Sequence, residues 1–353
     1  MKARRVRAAA AFVAGTFLVA ACSSGSNGSG TPKSTGPSAG SGGSATTTAS
    51  AGDGKVFNFR GANSTTADDA FGTSYTAFAK CLAAQSSNRI KLTMYQNATL
   101  GSDAEALELL QTGALDFTET TLTSTVLPDA AAFDLPYMFS TVEAWEKAVD
   151  GAPGDQIKQE ALAKGMKILS FDEGGWREVY GNKDVKGISD FKGLKIRTLQ
   201  TPVYVAFFKA LGAVPSPLAF TEVYLALQQH TLDAAETALP SMFGAKQYEV
   251  SKYVIVTNHA MSTVPWVMST KAWNSLPPDL QSVVVACDKT RSEMQRTNQN
   301  ESQKNMQQQL TAKGMTYVTI PLAPLQELAK SKVYPLATAP GEQALVAKIE
   351  AMN

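Results

Sequence analysis

From residue 56 onward the spacing of apolar residues switches repeatedly between two and about 3.6, the periods of strand and helix. Val56-Phe57-Asn58-Phe59 starts a strand, and the polar loop Asn63 to Asp68 follows it. Tyr75, Phe78, Ala79 and Leu82 then share one face of a helix that ends near Ser86. Arg89 to Tyr95 alternates as a second strand, Leu100 to Asp103 reads as a turn and helix cap, and Glu105 to Thr112 reads as a helix closed by Gly113. Leu115-Asp116-Phe117-Thr118 begins a third strand, with Glu119-Thr120-Thr121 at its end. This β-α-β-α-β order implies a parallel or mixed sheet with helices packed on it.

The same alternation continues to the C-terminus. Asp134 to Phe139 is a rigid apolar segment, two helices flank Gly151, and Met166 to Phe171 is a strand. Trp176 and Arg177 fall in a loop-to-strand transition over Asp172 to Asn182. Gly193 to Arg197 reads as a tight turn feeding a short strand, and Val203 to Leu211 as the helix after it. Thr221 is placed as the N-cap of a helix running to Gln229, and Met261 to Ser269 as a further strand. Asp279 to about Lys313 is a long, very polar helix of the kind that runs along a surface or bridges lobes. Pro321 to Ala351 reads as helical and amphipathic. Thr231 to Thr237 repeats the pattern of Ala114 to Thr120, a helix end, a Leu-Asp step and a strand, which hints at two similar α/β lobes.

The N-terminus reads differently. Lys2, Arg4, Arg5 and Arg7 precede an apolar run from Ala8 to Ala21. At about 14 residues this run is short for a bilayer anchor and suits a signal peptide. Val19-Ala20-Ala21-Cys22 looks like a lipobox, so residues 1–21 are expected to be a lipoprotein signal peptide and Cys22 to carry lipid. Residues 22–54 are almost entirely Ser, Gly, Thr, Ala and Pro, too poor in apolar surface to offset their ordering entropy, and read as a disordered tether. The expected location is extracytoplasmic, anchored to the cell membrane through Cys22. What remains is about 300 residues, enough for one large or two medium domains. The formal charge of +1 becomes −3 without the four N-terminal cations, and no basic patch points to nucleic acid. Cys81 and Cys287 are left, and two readings stand open: a disulfide in an oxidising compartment, or two small buried apolar side chains.

No catalytic grouping is present. Outside the Ser/Gly-rich tether the chain has no G-x-S-x-G; it has no glycine-rich phosphate loop and no zinc spacing, and its two histidines, His230 and His259, read as structural. No metal or cofactor is expected, and an exported, tethered, two-lobed protein without reactive groups points to binding. Arg197, near a strand end and ahead of a helix, sits where a ligand carboxylate would meet a guanidinium.

Asp190 to Arg197, Leu211-Gly212-Ala213 with Pro215, and Phe220 to Gln228 together resemble the solute-binding subunits of tripartite ATP-independent periplasmic (TRAP) transporters, the DctP family. The likeness extends to Leu100-Gly101, Asp134 to Tyr137, Arg177, Tyr248 to Val250, His259 and Trp273 with Leu276-Pro277. The resemblance implies an α/β, two-lobed periplasmic-binding-protein-like fold with a hinge cleft and a long lobe-spanning helix. It implies lobes of 55–174 plus 263–302 and 175–262 plus 303–353, closing on an organic acid that is passed to membrane permease subunits. An ABC importer or a sensing receptor is the alternative partner. Arg197 would pair with the ligand carboxylate and Arg177 would be a second cationic contact. Glu236 and Asn63 are further expected ligand-binding residues, and for Trp176 two readings stand open, lining the pocket or filling the lobe core. Relatives often read Asp-Gly-Gln-Glu-Asn where this chain has Asp233-Ala234-Ala235-Glu236-Thr237, so Thr237 stands in for a contacting asparagine. Thr121 stands where relatives can carry an acid, which favours a ligand simpler than a polyhydroxylated sugar acid.

Overall fold

The computed structural model describes residues 54–352; the expected signal peptide, Cys22 and all but the last residue of the tether lie outside them. The chain begins with β1 (Phe57–Ala62), α1 (Ala70–Gln85), β2 (Ile90–Tyr95), α2 (Asp103–Gln111) and β3 (Phe117–Glu119). β1 pairs in parallel with both β2 and β3. Phe71, Tyr75, Phe78 and Leu82 form the buried stripe of α1, and Asp69 caps it by accepting from the Gly72 amide at 2.7 Å. α2 opens on a capping box between Ser102 and Glu105. Three short helices follow, α3 (Thr123–Val126), α4 (Val142–Val149) and α5 (Ala152–Leu162), with a 3-10 segment, Pro128–Asp134, between the first two.

β4 (Met166–Gly181) is one strand of 16 residues, where alternation alone suggests a strand to Phe171 and then a loop. Register shifts at 168/170, 173/175 and 177/179 break the period without breaking the ladder. Gly174 and Gly175 allow the middle shift. A Cβ on Gly174 would come within 2.7 Å of the Ser262 hydroxyl, and Gly175 holds φ +87°. The second half adds β5 (Lys195–Thr198), α6 (Pro202–Ala210), β6 (Val214–Pro217), α7 (Val223–Gln228), β7 (Ala234–Ala238) and α8 (Leu239–Gly244). Thr221 does not cap α7; the Glu222 carboxylate accepts from the Ala219 amide at 3.1 Å, and a 3-10 turn, Phe220–Glu222, leads into the helix.

β8 (Tyr253–Ser269) is 17 residues long and runs antiparallel to β4 along its length. The sheet order is β2-β1-β3-β8-β4-β7-β5-β6. β3 joins β8 at its C-terminal end, beside Trp266 to Met268, whereas β7 joins β4 at Arg177 to Gly181. Two half-sheets therefore share two long crossing strands. One half buries Tyr75, Phe78 and Phe117 around Trp266; the other buries Tyr180, Val223, Leu227 and Met242.

After α9 (Thr270–Ser275), α10 (Pro278–Ala312) spans 35 residues and lies along β4. Its ends pack apolar side chains, Leu280 and Val284 into the first half and Met306 and Leu310 into the second, but its middle is attached to β4 by polar groups. Arg291 donates to both oxygens of Asp172 at 2.7 and 2.8 Å, Gln295 exchanges two hydrogen bonds with the Glu173 backbone, and Gln299 donates to the Gly174 carbonyl at 2.8 Å. These three residues are four apart and share a helix face. β9 (Thr316–Thr319) then pairs with the start of β8, a strand too short and too exposed to alternate visibly. The terminal helical reading resolves into α11 (Ala323–Leu328), a π turn, a 3-10 turn and α12 (Pro340–Glu350), interrupted by Pro335 and Pro340, which lack an amide N–H.

The open question of the cysteines is answered by a Cys81–Cys287 disulfide, Cα atoms 5.8 Å apart, that fastens α1 to α10 across 206 positions of sequence. Replacing both cysteines with serine, or reducing the bond, is expected to lower stability by about 2–5 kcal/mol. A urea midpoint unchanged by reductant would refute this.

Candidate functional site

The parallel strands of both half-sheets point their carboxyl ends at one space, the position where open α/β folds gather ligands. The result is a cavity of about 60 Å³. Ser64, Thr65, Phe71, Asp103 and Glu119 to Thr121 line it from the first half, and Arg197, Leu199, Phe220, Thr237, Ala238 and Ser241 from the second. Gly174, Arg177, Ser262 and Val264 close it from the crossing strands.

The two arginines are only 2% exposed, and they are not equivalent. Arg177 uses all three guanidinium nitrogens: Nε donates to Glu236 Oε2 at 2.6 Å, Nη1 to the Ser262 hydroxyl at 3.3 Å and Nη2 to the Glu236 carbonyl at 3.3 Å. Arg197 donates through Nε to the Leu218 carbonyl at 3.0 Å and through Nη1 to the Glu236 carbonyl at 3.3 Å, so Nη2 is the nitrogen left for a cavity ligand. Its Nη1 lies 4.0 Å from the Glu236 carboxylate, the long end of an ion pair. Aromatic rings flank both cations, Tyr204 at 5.0 Å from Arg177 and Phe220 at 5.9 Å from Arg197.

Glu236 is the hub. Burial alone would push its carboxyl up, but the Arg177 guanidinium and the hydrogen bond from His259 hold it at about 2. It also accepts from the Leu199 amide at 2.7 Å, which ties the turn after β5 to β7. His259 Nε2 lies 3.3 Å from Glu236, and its Nδ1 lies 2.9 Å from the Thr257 hydroxyl. Burial pushes the imidazole pKa down, against the pull of Glu236, so a neutral ring is favoured. Burial also raises Asp134, beside Arg177 and Glu236, to about 7. Two guanidiniums thus face a single strongly ionised carboxylate, and at the arginine end of the cavity one positive charge exceeds the carboxylate that meets it. In a desolvated space that surplus strongly favours an anion.

The expected site residues divide by position. Arg197, Arg177, Thr237 and Thr121 meet around the cavity, and Glu236 lies fully buried behind the arginines. Asn63 stops short of it: the side chain turns to the Thr65 hydroxyl at 2.8 Å, and its neighbours Ser64 and Thr65 line the wall instead. Trp176 lies elsewhere. Strand alternation sends it away from Arg177, into a separate 460 Å³ pocket with Tyr137, Phe139, Asn258 and Leu322. Sequence reading did not pick out Asp103, Glu119 or Phe220. Asp103 reads as part of a turn and cap and Glu119 as a strand end; only the parallel pairing of β1 with β3 brings their carboxyls to the same wall.

The chain matches the family model described as bacterial extracellular solute-binding protein, family 7, over residues 61–335. It is 31% identical over 250 residues to a solute-binding protein of Verminephrobacter eiseniae, covering 70% of this chain and 75% of the relative. It is 31% identical over 245 residues to the 2,3-diketo-L-gulonate-binding periplasmic protein of Escherichia coli, covering 69% and 75%. A crystal structure of a TRAP periplasmic solute-binding protein from Polaromonas sp. JS666, bound to D-erythronate, superposes with a TM-score of 0.80 at 27% identity, covering 83% of this chain and 98% of that one.

Because Glu236 titrates at about 2 when folded and near 4.5 when unfolded, its stabilising contribution is complete above about pH 4.5 and is lost as pH falls towards 2. Glu236→Gln removes that contribution and leaves the buried arginines without their anion. The expected cost at neutral pH is about 3–5 kcal/mol, with a shallower loss of stability between pH 4.5 and 2. Parallel pH–stability curves for variant and parent would contradict this assignment.

Proposed function

Because the chain belongs to the bacterial extracellular solute-binding proteins of family 7, we propose that it captures an organic carboxylate between its two half-sheets and delivers it to a TRAP-type membrane transporter. The observation that carries the reading is the surplus guanidinium of Arg197 inside a cavity walled by both halves of the sheet. A ligand carboxylate supplies the missing charge and accepts from Nη2. Thr237 and Thr121 offer hydroxyls on either side of it, each able to donate and accept. Arg177, whose nitrogens are already engaged, sets the field and position of Glu236 more than it offers new bonds. The role is capture and release, with no chemical step.

Closure is read as a movement of 55–174 plus 263–302 against 175–262 plus 303–353. The bulged crossing strands β4 and β8 flex, and the glutamine contacts of α10 guide the motion. The N-terminal segment fits the same role. Lipid on Cys22 and the Ser/Gly-rich tether after it would hold the binding domain close to the permease while leaving it free to turn.

Arg197→Ala is expected to abolish ligand-induced thermal stabilisation, which for the parent protein at a hundredfold excess over Kd is about 2.7 kcal/mol. The Glu236–Arg177 pair persists in this variant, so its unliganded melting temperature should fall only modestly. Retained full affinity would refute the carboxylate clamp. Cys22→Ala should move the protein from the membrane to the soluble extracytoplasmic fraction; a variant still sedimenting with membranes would refute the lipid anchor.

A further inference from the structure

The two crossing strands separate at one place. Arg177 pairs with Ala260 and Val179 with Ile255, so residues 256–259 of β8 stand opposite the single residue Glu178 of β4. Such a bulge takes backbone groups off the ladder, and Asn258 enters the left-handed region at φ +40°. Four of those backbone groups find other partners. The Glu178 carboxylate, 4% exposed, accepts from the amides of Thr257 at 2.6 Å and Asn258 at 2.8 Å. Tyr137, itself at φ +60°, donates its hydroxyl to the Thr257 carbonyl at 3.1 Å and its amide to the His259 carbonyl at 2.8 Å. A buried carboxylate and two non-glycine residues in a sparsely populated backbone region are held here together, which marks a built feature.

The bulge carries Thr257 and His259 towards Glu236. The Thr257 hydroxyl has one hydrogen and two acceptors within reach, His259 Nδ1 at 2.9 Å and Glu178 Oε2 at 3.2 Å. Glu178 already accepts from two amides and the ring is nearer, so the hydrogen goes to Nδ1. The imidazole proton then sits on Nε2, 3.3 Å from Glu236 Oε2. Glu236 favours the same tautomer from its side, so the ring is pinned at both nitrogens. Phe207 stacks on it at 5.9 Å, and Tyr204 and Phe208 meet it in T-shaped contacts at 6.1 and 5.5 Å, which holds it against turning over. We propose that Thr257, seated by Glu178, is a positioning residue of the ligand site: its hydroxyl holds His259 as the Nε2–H donor that keeps Glu236 on Arg177 and off Arg197. This rests on the carboxylate-capture reading above. Glu236 Oε2 lies 2.6 Å from Arg177 Nε, whereas Oε1 stops 4.0 Å from Arg197 Nη1. A loosened ring would let the carboxylate move towards Arg197 and compete with the ligand for that charge. The bulge interrupts a strand shared by both halves, so bending there moves Thr257 and His259 as one unit and changes the grip on Glu236.

The test joins imidazole nitrogen NMR, on the full chain carrying isotope-labelled histidine, to calorimetric titration. The chain has two histidines, the exposed His230 and the buried His259, so their signals are told apart. In the parent, His259 should show a protonated Nε2 and an unprotonated Nδ1; a protonated Nδ1 overturns the proposal, and this arm reads out even if a variant fails to fold. Thr257→Val should move the Nδ1 signal downfield as its donor is lost, and Thr257→Ser, which keeps the hydroxyl, should restore it. For affinity the probe is whichever of pyruvate, succinate, gluconate and benzoate binds the parent most tightly. Thr257→Val should weaken that binding about fivefold, and Thr257→Ser should bring it back within about twofold of the parent. An affinity within about twofold of the parent in Thr257→Val overturns the positioning role and leaves carboxylate capture standing. Failure of all four acids to bind the parent overturns both.

Discussion

Arg177 Nε donates to Glu236 at 2.6 Å between β4 and β7, and that contact holds a second guanidinium, Arg197, in the same buried space without an equal partner. Two like charges so placed would repel each other and resist desolvation; one carboxylate between them makes the arrangement tolerable without making it neutral. Much else supports that balance. The Leu199 amide and His259 fix Glu236 from behind, Tyr204 and Phe220 flank the guanidiniums, and Ser262 and the Leu218 carbonyl each accept from one of them, leaving Arg197 Nη2. The ligand completes an electrostatic set that the fold leaves one charge short.

That arrangement depends on strands that belong to both halves of the molecule. β4 carries Arg177 and β8 carries Ser262 and His259; β8 pairs with β3 of the first half, β4 with β7 of the second, and the two pair with each other along their length. Their bulges permit bending, and α10 follows β4 through side-chain amides bonded to strand backbone. A seam of amide hydrogen bonds can re-form one residue at a time, whereas a packed apolar seam resists sliding. The polarity of α10 is thus suited to a hinge.

The α/β class and most element positions are legible in the sequence because each short element keeps its own period. Arg197 is legible because a turn, a short strand and a helix start place it at a sheet's carboxyl edge, and Thr121 and Thr237 because the family resemblance marks their positions, where relatives carry an acid and an asparagine. The long crossing strands are not legible, since three register shifts and a Gly-Gly step scramble the period of two across β4. Trp176 shows the cost: without knowing that residues 172–181 continue a strand, its side cannot be assigned, and it lands on the face away from Arg177. Glu119 and Asp103 lie 16 positions apart, and only the parallel pairing of β1 with β3 makes them neighbours on one wall.

The disulfide ties α1 to a helix that begins about 200 positions later. A chain threaded across a membrane from its N-terminus presents Cys81 on the far side long before Cys287 arrives. For that interval the first half-sheet has lost nothing covalently but lacks the helix that covers it, and its thiol is open to the wrong partner. The order of emergence therefore sets a chaperoning problem, and secretion yield should depend on oxidative folding capacity on the outside more than on the strength of the fold itself.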